Sequence, residues 1–346
     1  VRVLDLIVKK TAEYLAIPSV VGHEKFFMDY LEKEFEALDL NTYRYDGVME
    51  IQGRDVGEHI VCAHIDRHGL ICLGDDEYVY AAQFIKEIKY GENNKSSRKQ
   101  VESIAERFEG EEVYAYHPDT GEHIGEGIIR ACYPKLRNDD ALFFVEGIPL
   151  LEPNTPLAYS RQASFENDHL AGQIDNVISI AILYALYKNG YEGTALLTCE
   201  EEIGKSWLHI ANYLNGMRIE TDELLVIDTS PFSEHDVIEE GPIILRNQDK
   251  SEEFNDNLVD KLKARCEKMK LPYIVKDELL LSQGKEIDDL GSTELGRLVE
   301  GSEGLWNGAT IQIPTLMYHT SNETTTSQAI ENYYNFLHNI LVKDKI

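Results

Sequence analysis

No stretch of this 346-residue chain approaches the roughly eighteen uninterrupted apolar residues that a membrane-spanning helix needs. The first ten residues, VRVLDLIVKK, mix charge into an amphipathic pattern and lack the apolar core of a secretory leader. The expected location is therefore the cytoplasm. Cysteine is scarce: Cys62, Cys72, Cys132, Cys199 and Cys266 form an odd, widely spaced set with no CxxC pair. That excludes a disulfide framework and leaves reduced core thiols. Positive charge is short as well, with 33 Lys and Arg against 62 Asp and Glu, a formal net charge of -29. Such a surface repels phosphate backbones and anionic lipid, so neither nucleic acid nor membrane is an expected partner. Internal repeats and low-complexity tracts are lacking too. GENNKSSRKQ, residues 91–100, comes nearest to disorder and is short enough to be a loop.

The chain has 43% hydrophobic residues and the length for one large domain plus a smaller one. Amphipathic helices are expected over residues 3–15 and in KFFMDYLEKEFEAL, with PSVVGHEK breaking the chain between them. Apolar strands such as HIVCA, GTALLT, ELLVI and ATIQI then alternate with helices. DNVISIAILYALYKNG is apolar on nearly every face, which predicts a buried helix, capped by Asp175 or a neighbour and stopped at Asn189-Gly190. This order implies a mostly parallel, doubly wound α/β sheet flanked by helices. Residues 73–162 differ in texture: EEVYAYHP, DTGEH and IGEGIIRACYP predict a hairpin, and ALFFVEGIPL another strand. The expected organisation is a catalytic domain of residues 1–72 and 163–346, interrupted by a small all-β domain at 73–162.

Ligands of such sheets bind beyond the carboxyl ends of the strands, where polar residues following apolar runs become candidates. His64 and Asp66 follow Ile60–Ala63; Glu200, Glu201 and Glu202 follow Leu196–Thr198; Asp228 follows Leu224–Ile227; His319 follows Pro314–Tyr318; Asp175 stands at the mouth of the buried helix. Singly, each is ordinary: a Glu triplet in an acidic chain is usually a solvated run, and Asp at a strand end is commonly a turn residue. Together at one rim they suit a divalent metal such as zinc, cobalt or manganese. Two neighbouring ions require one carboxylate between them, the place for Asp175, and further carboxylate or imidazole ligands on each. A carboxylate outside that set must move a proton from water to the leaving amine, a role for one of two adjacent glutamates. Asp66 can accept the other ring N–H of His64 and fix its tautomer.

The motifs AHIDRHG (Ala63–Gly69), LAGQIDN (Leu170–Asn176), TCEEEIG (Thr198–Gly204), VIDTS (Val226–Ser230) and YHTSNE (Tyr318–Glu323) together resemble those of the tetrahedral, dodecamer-forming metallo-aminopeptidases of the two-zinc exopeptidase clan. The resemblance covers nearly the whole chain. It implies His64, Asp175 and Asp228 on one metal, Asp175, Glu202 and His319 on the other, Glu201 as general base, and assembly into a homo-oligomer, a dodecamer. The 109 positions between Asp66 and Asp175 match the family's habit of inserting its β-rich domain early, whereas related carboxypeptidases and deacylases place their extra domain between the fourth and fifth ligands. There are departures. Where the family usually has Glu-Ile-Gly after His-x-Asp, this chain has Arg67-His68-Gly69; Asn176 replaces an acidic residue, and Asn322 a proline. Arg67 is expected to form a structural salt bridge, with attraction of acidic substrates as its other possible role. The expected activity is release of N-terminal residues from peptides. Its rivals are an amidohydrolase of N-acyl amino acids, a catalytically silent scaffold of the same fold, and a glycosidase, which would leave both histidines without work.

Overall fold

The computed structural model describes residues 2–55, 59–92, 98–134 and 141–345. Eight strands form the central sheet, in the order Asn41–Tyr45, Val48–Gln52, Thr194–Thr198, Ile60–His64, Thr221–Pro231, Trp306–Thr315, Ile243–Leu245 and Tyr273–Val275. The centre is parallel and antiparallel pairs lie on either side of it. Central strands covered on both faces by helices need continuous apolar runs, and every residue of Thr194–Thr198 is buried. The helix Val177–Lys188 is buried from Val177 to Tyr187, as its all-round apolar sequence requires. No side chain caps its N-terminus, where Asn176 stands, so the cap expected from Asp175 or a neighbour is not formed. The helix ends at Asn189, and Gly190 takes a positive φ of 98°.

Parallel register sets the site. Thr198 lies beside His64 and Val226 beside Cys62, so His64, the turn after Thr198 and Asp228 emerge at one edge. A three-stranded antiparallel sheet, Ser164–Glu166, His169–Gly172 and Glu323–Thr326, brings Gly172 opposite Glu323 and delivers Asp175 to the same edge.

Between these elements the chain forms a closed antiparallel barrel of six strands, Leu70–Gly74, Glu77–Tyr80, Ala141–Glu146, His123–Pro134, Glu112–Tyr116 and Pro156–Tyr159. It has its own core, including Ile71, Tyr78, Phe108, Tyr116, Phe143 and Leu157. Two helices that the sequence reading does not anticipate, Ala81–Tyr90 and Arg98–Phe108, accompany the strands. Of the segment expected as a loop, residues 93–97 lie outside the described residues, and residues 98–100 begin the second of these helices. The chain enters the barrel through Gly69, where a Cβ would stand 2.5 Å from Val20 Cγ2 and 2.6 Å from the Leu157 carbonyl oxygen; no larger residue fits without displacing backbone.

Candidate metal centre

Two sets of donors converge at the rim. In one, His64 Nε2 lies 3.3 Å from Asp175 Oδ1 and 3.5 Å from Asp228 Oδ1. In the other, His319 Nε2 lies 3.6 Å from Glu202 Oε2 and 3.7 Å from Asp175 Oδ2. Asp175 thus turns one oxygen to each histidine. The second set contains a residue to which the sequence reading assigned no role: His68 Nε2 is 2.8 Å from Glu202 Oε2, and its ring meets that of His319 edge-on at 4.1 Å. The available signal was the imidazole itself, four positions after His64 in a segment already noted as a departure from the family pattern.

Two buried carboxylates grip the backbone that carries these donors. Asp66 accepts from the N–H groups of Glu201 and Glu202, each at 3.0 Å. Glu323 accepts from Asp175 N–H at 2.8 Å and from His319 N–H at 2.7 Å. His319 has a φ of +60°, a left-handed conformation costly for a non-glycine residue, which the Glu323 bond helps to hold. The contact expected between Asp66 and His64 takes a different form. His64 Nδ1 is 3.2 Å from the main-chain oxygen of Asp66 and 3.6 Å from its carboxylate, which is occupied with the glutamate turn.

Arg67 departs from its expected salt bridge. Among the described residues no carboxylate lies within ion-pair range; the guanidinium donates to the Leu15 and Ile17 carbonyls and packs 5.7 Å from the Phe27 ring. Carbonyls at and just beyond the end of helix Val3–Leu15 carry partial negative charge, and a cation there satisfies them without a carboxylate. Glu200 also points away from the donors. Its φ of +69° sends the side chain to Lys89, Tyr90 and His209, the first two on the barrel helix Ala81–Tyr90.

The donors' chemistry suits divalent cations. Asp175 Oδ1 and His68 Nε2 are buried and find no hydrogen-bond partner among the described residues despite the close approaches above. Burial and then the Asp175 charge push Asp228 up to about 7, and the same two causes raise Glu202 well above the carboxylate range. Without a cation, these carboxylates resist ionising together. Burial also opposes ionisation of Asp175, but its contacts with His64 outweigh it, and its pKa lies below the ordinary value. His64, likewise buried, is nonetheless held protonated by Asp175, Asp228 and Asp66, so a metal ion would displace a proton there. Burial and then Arg107 keep His68 neutral; burial and then His68 keep His319 neutral, the form with a lone pair to offer. Arg107 Nη1, from the barrel helix Arg98–Phe108, stands 3.4 Å from His319 Nδ1.

Beside the donors opens a cleft of about 470 Å3 lined by Glu201, Glu202, Asp228 and His319 and by the basic side chains Arg246, Lys276 and Arg297. Glu201 Oε1 is 3.5 Å from Arg297 Nη1. Burial pushes Glu201 up to about 7, against the pull of His64 and Arg297.

A doubly wound sheet with imidazoles and carboxylates gathered at its rim, opening on a substrate-sized cleft, defines a metal-dependent hydrolase. Comparison with known families narrows this: the M42 glutamyl aminopeptidase model matches residues 151–336, more than half of the chain. The chain belongs to that family and is a metal-dependent aminopeptidase. Comparison with the curated proteins gave no match. Among solved structures, a TET aminopeptidase from the marine sediment archaeon Thaumarchaeota archaeon SCGC AB-539-E09 is similar with a TM-score of 0.74 at 13% identity, covering 99% of this chain and 97% of that one. An aminopeptidase from the archaeon Desulfurococcus kamchatkensis gives 0.73 at 13% identity, covering 98% and 95%. The TET1 peptidase of Pyrococcus horikoshii, described as assembling into a tetrahedron or a large octahedral shell, gives 0.69 at 15% identity, covering 97% and 99%. The fold class read from the sequence agrees with these likenesses. Among the described residues no helix is long and apolar enough to cross a membrane.

Proposed function

We propose that the chain removes N-terminal residues from peptides with a pair of divalent ions, His64, Asp175 and Asp228 holding one, and Asp175, Glu202 and His319 the other. Zinc is the preferred ion, with cobalt or manganese as alternatives, because the donors mix imidazole and carboxylate. The observation that carries this reading is Asp175, whose Oδ1 faces His64 and whose Oδ2 faces His319. When bound, the ions supply a Lewis acid for the scissile carbonyl and lower the pKa of water.

Glu201 is the general base, taking the proton from water and returning it to the leaving amine. A pKa near 7 suits a group that must both accept and release a proton at neutral pH. Asp66 is a positioning residue that fixes the Glu201-Glu202 backbone. The Glu201→Gln variant should keep its metal and lose hydrolysis of amino-acid anilides; an active variant overturns the assignment.

Residues 1–72 and 163–346 act as the catalytic unit and 73–162 as the inserted domain, except that Leu70–Cys72 belong to the barrel's first strand. Assembly into a homo-oligomer, a dodecamer, completes the reading, with the barrel as the subunit contact. Exposed Ile124, Phe144 and Leu150 on that segment support it, Leu150 being 79% exposed. Light scattering that finds only monomer at working concentration counts against assembly.

A further inference from the structure

The sequence places an imidazole at position 68, four residues after His64. Gly69 and the barrel wall behind it fix where the preceding residue can go, and His68 is buried, 3% exposed. Its Nδ1 lies 2.7 Å from the Tyr80 hydroxyl at the end of barrel strand Glu77–Tyr80, and its Nε2 lies 2.8 Å from Glu202 Oε2. Among the described residues Nε2 finds no hydrogen-bond partner even at that distance. One donor atom from each of His68, Glu202 and His319 falls within 4.8 Å of the others. Donors around a tetrahedral zinc, each about 2.0–2.1 Å from it, stand roughly 3.3 Å apart. The separations here bracket that value: 2.8 Å for His68 to Glu202, 3.6 Å for His319 to Glu202, and 3.7 Å for His319 to Asp175.

We propose that His68 is a fourth protein ligand of the ion site formed by Asp175, Glu202 and His319, and that this site is the tighter of the two. The proposal rests on the dinuclear reading above. With the ring proton on Nδ1, His68 donates to the Tyr80 hydroxyl oxygen and leaves the Nε2 lone pair directed at the ion, as outer partners of metal-bound histidines arrange. The two sites are then unequal. The His64 site has three protein donors, one of them nitrogen, and keeps an open position for water. The His68 site has four, two of them nitrogen, which shifts its selectivity from manganese or magnesium towards zinc and cobalt.

The test is cobalt titration of the chelator-stripped full-length protein, followed by visible absorption and calorimetry, for wild type, His68→Gln and Tyr80→Phe. Wild type should bind two ions in two affinity classes. In His68→Gln the tighter class should weaken roughly tenfold or more and its absorption band should change, while the weaker class stays as it was. Tyr80→Phe, which keeps the imidazole, should weaken the same class by less. Two ions bound by His68→Gln with wild-type affinities and spectrum overturn the role of His68 and leave the dinuclear site standing; such a histidine only positions Glu202. A wild type that binds no cobalt overturns both. If His68→Gln does not fold, Tyr80→Phe decides: a weakened tight class supports the proposal, unchanged binding overturns it.

Discussion

Replacing Glu200 by Gln should destabilise the protein without touching the metal ligands. The carboxylate is 1% exposed and is bonded to Lys89, Tyr90 and His209, so it ties a barrel helix to the catalytic sheet. Burial opposes its charge, but these three partners prevail and lower its pKa from 4.5 to about 2. Each pKa unit corresponds to about 1.4 kcal/mol, so the charge contributes on the order of 3 kcal/mol. Lys89 is half-exposed, at 51%, and water screens its share, which brings the expected loss to about 2 kcal/mol. The sign follows from linkage: a depressed folded-state pKa gives stability that is complete above the unfolded value and is lost as pH falls through the folded one. Urea unfolding at pH 7 should therefore show the full gap between wild type and Glu200→Gln, shrinking to less than half by about pH 3. A gap under about 0.5 kcal/mol at pH 7, or one that does not narrow in acid, refutes the reasoning.

Glu323→Gln should keep the fold but lose an acceptor for one of the Asp175 and His319 N–H groups, lowering metal affinity roughly 10–100-fold, as loss of outer partners does; equilibrium dialysis measures it. Among the described residues Lys276 donates only to neutral acceptors, Ser230 Oγ at 2.8 Å and the Pro231 carbonyl at 2.7 Å, and burial followed by Arg246 holds its pKa well below the usual value. A substrate carboxylate would relieve that, so Lys276→Met should lower kcat/KM for a glutamyl anilide about tenfold or more relative to that for a leucyl anilide; an unchanged ratio of the two kcat/KM values counts against it. Metal removal should expose the repulsion at Asp228. A folded pKa of about 7, above the ordinary 3.8, means that its contribution to stability is intact below about pH 4 and lost as pH rises through 7. The stripped protein should thus melt progressively lower from pH 5 to pH 8, the difference from the loaded form widening; parallel melting curves contradict this.

His64, Asp228 and His319 could be nominated from the chain because strands leave a plain apolar trace and the residue beyond each one's end has a predictable place; Asp175 was marked by the buried helix it precedes, and Glu202 was told apart from Glu200 and Glu201 only by the resemblance of the motifs. What connects those residues was harder to see. Asp66 and Glu323 bond to main-chain N–H groups, and a backbone donor has no letter in the sequence. Glu200, Glu201 and Glu202 are chemically alike; only a left-handed turn at Glu200 sends the first away from the others. Arg67 misled for a related reason, since its partners are carbonyl oxygens at a helix end. His68 was visible as an oddity, but its relevance depends on the side of the rim it faces, which is set by the chain entering the barrel at the next residue. The two barrel helices were obscured by strands before and after them, and only three residues of Ala81–Tyr90 are buried, too few for a strong period.

Tyr80, Lys89, Tyr90 and Arg107 all lie between the first and last strands of the barrel, yet each reaches a residue at the catalytic rim or its immediate support. The barrel is therefore a poor candidate for excision. Cutting it out and joining the ends would strip His68, Glu200 and His319 of these partners, and transplanting a barrel from a relative would carry these four side chains along as part of the graft. Changes on the two sides of that seam should be inherited together.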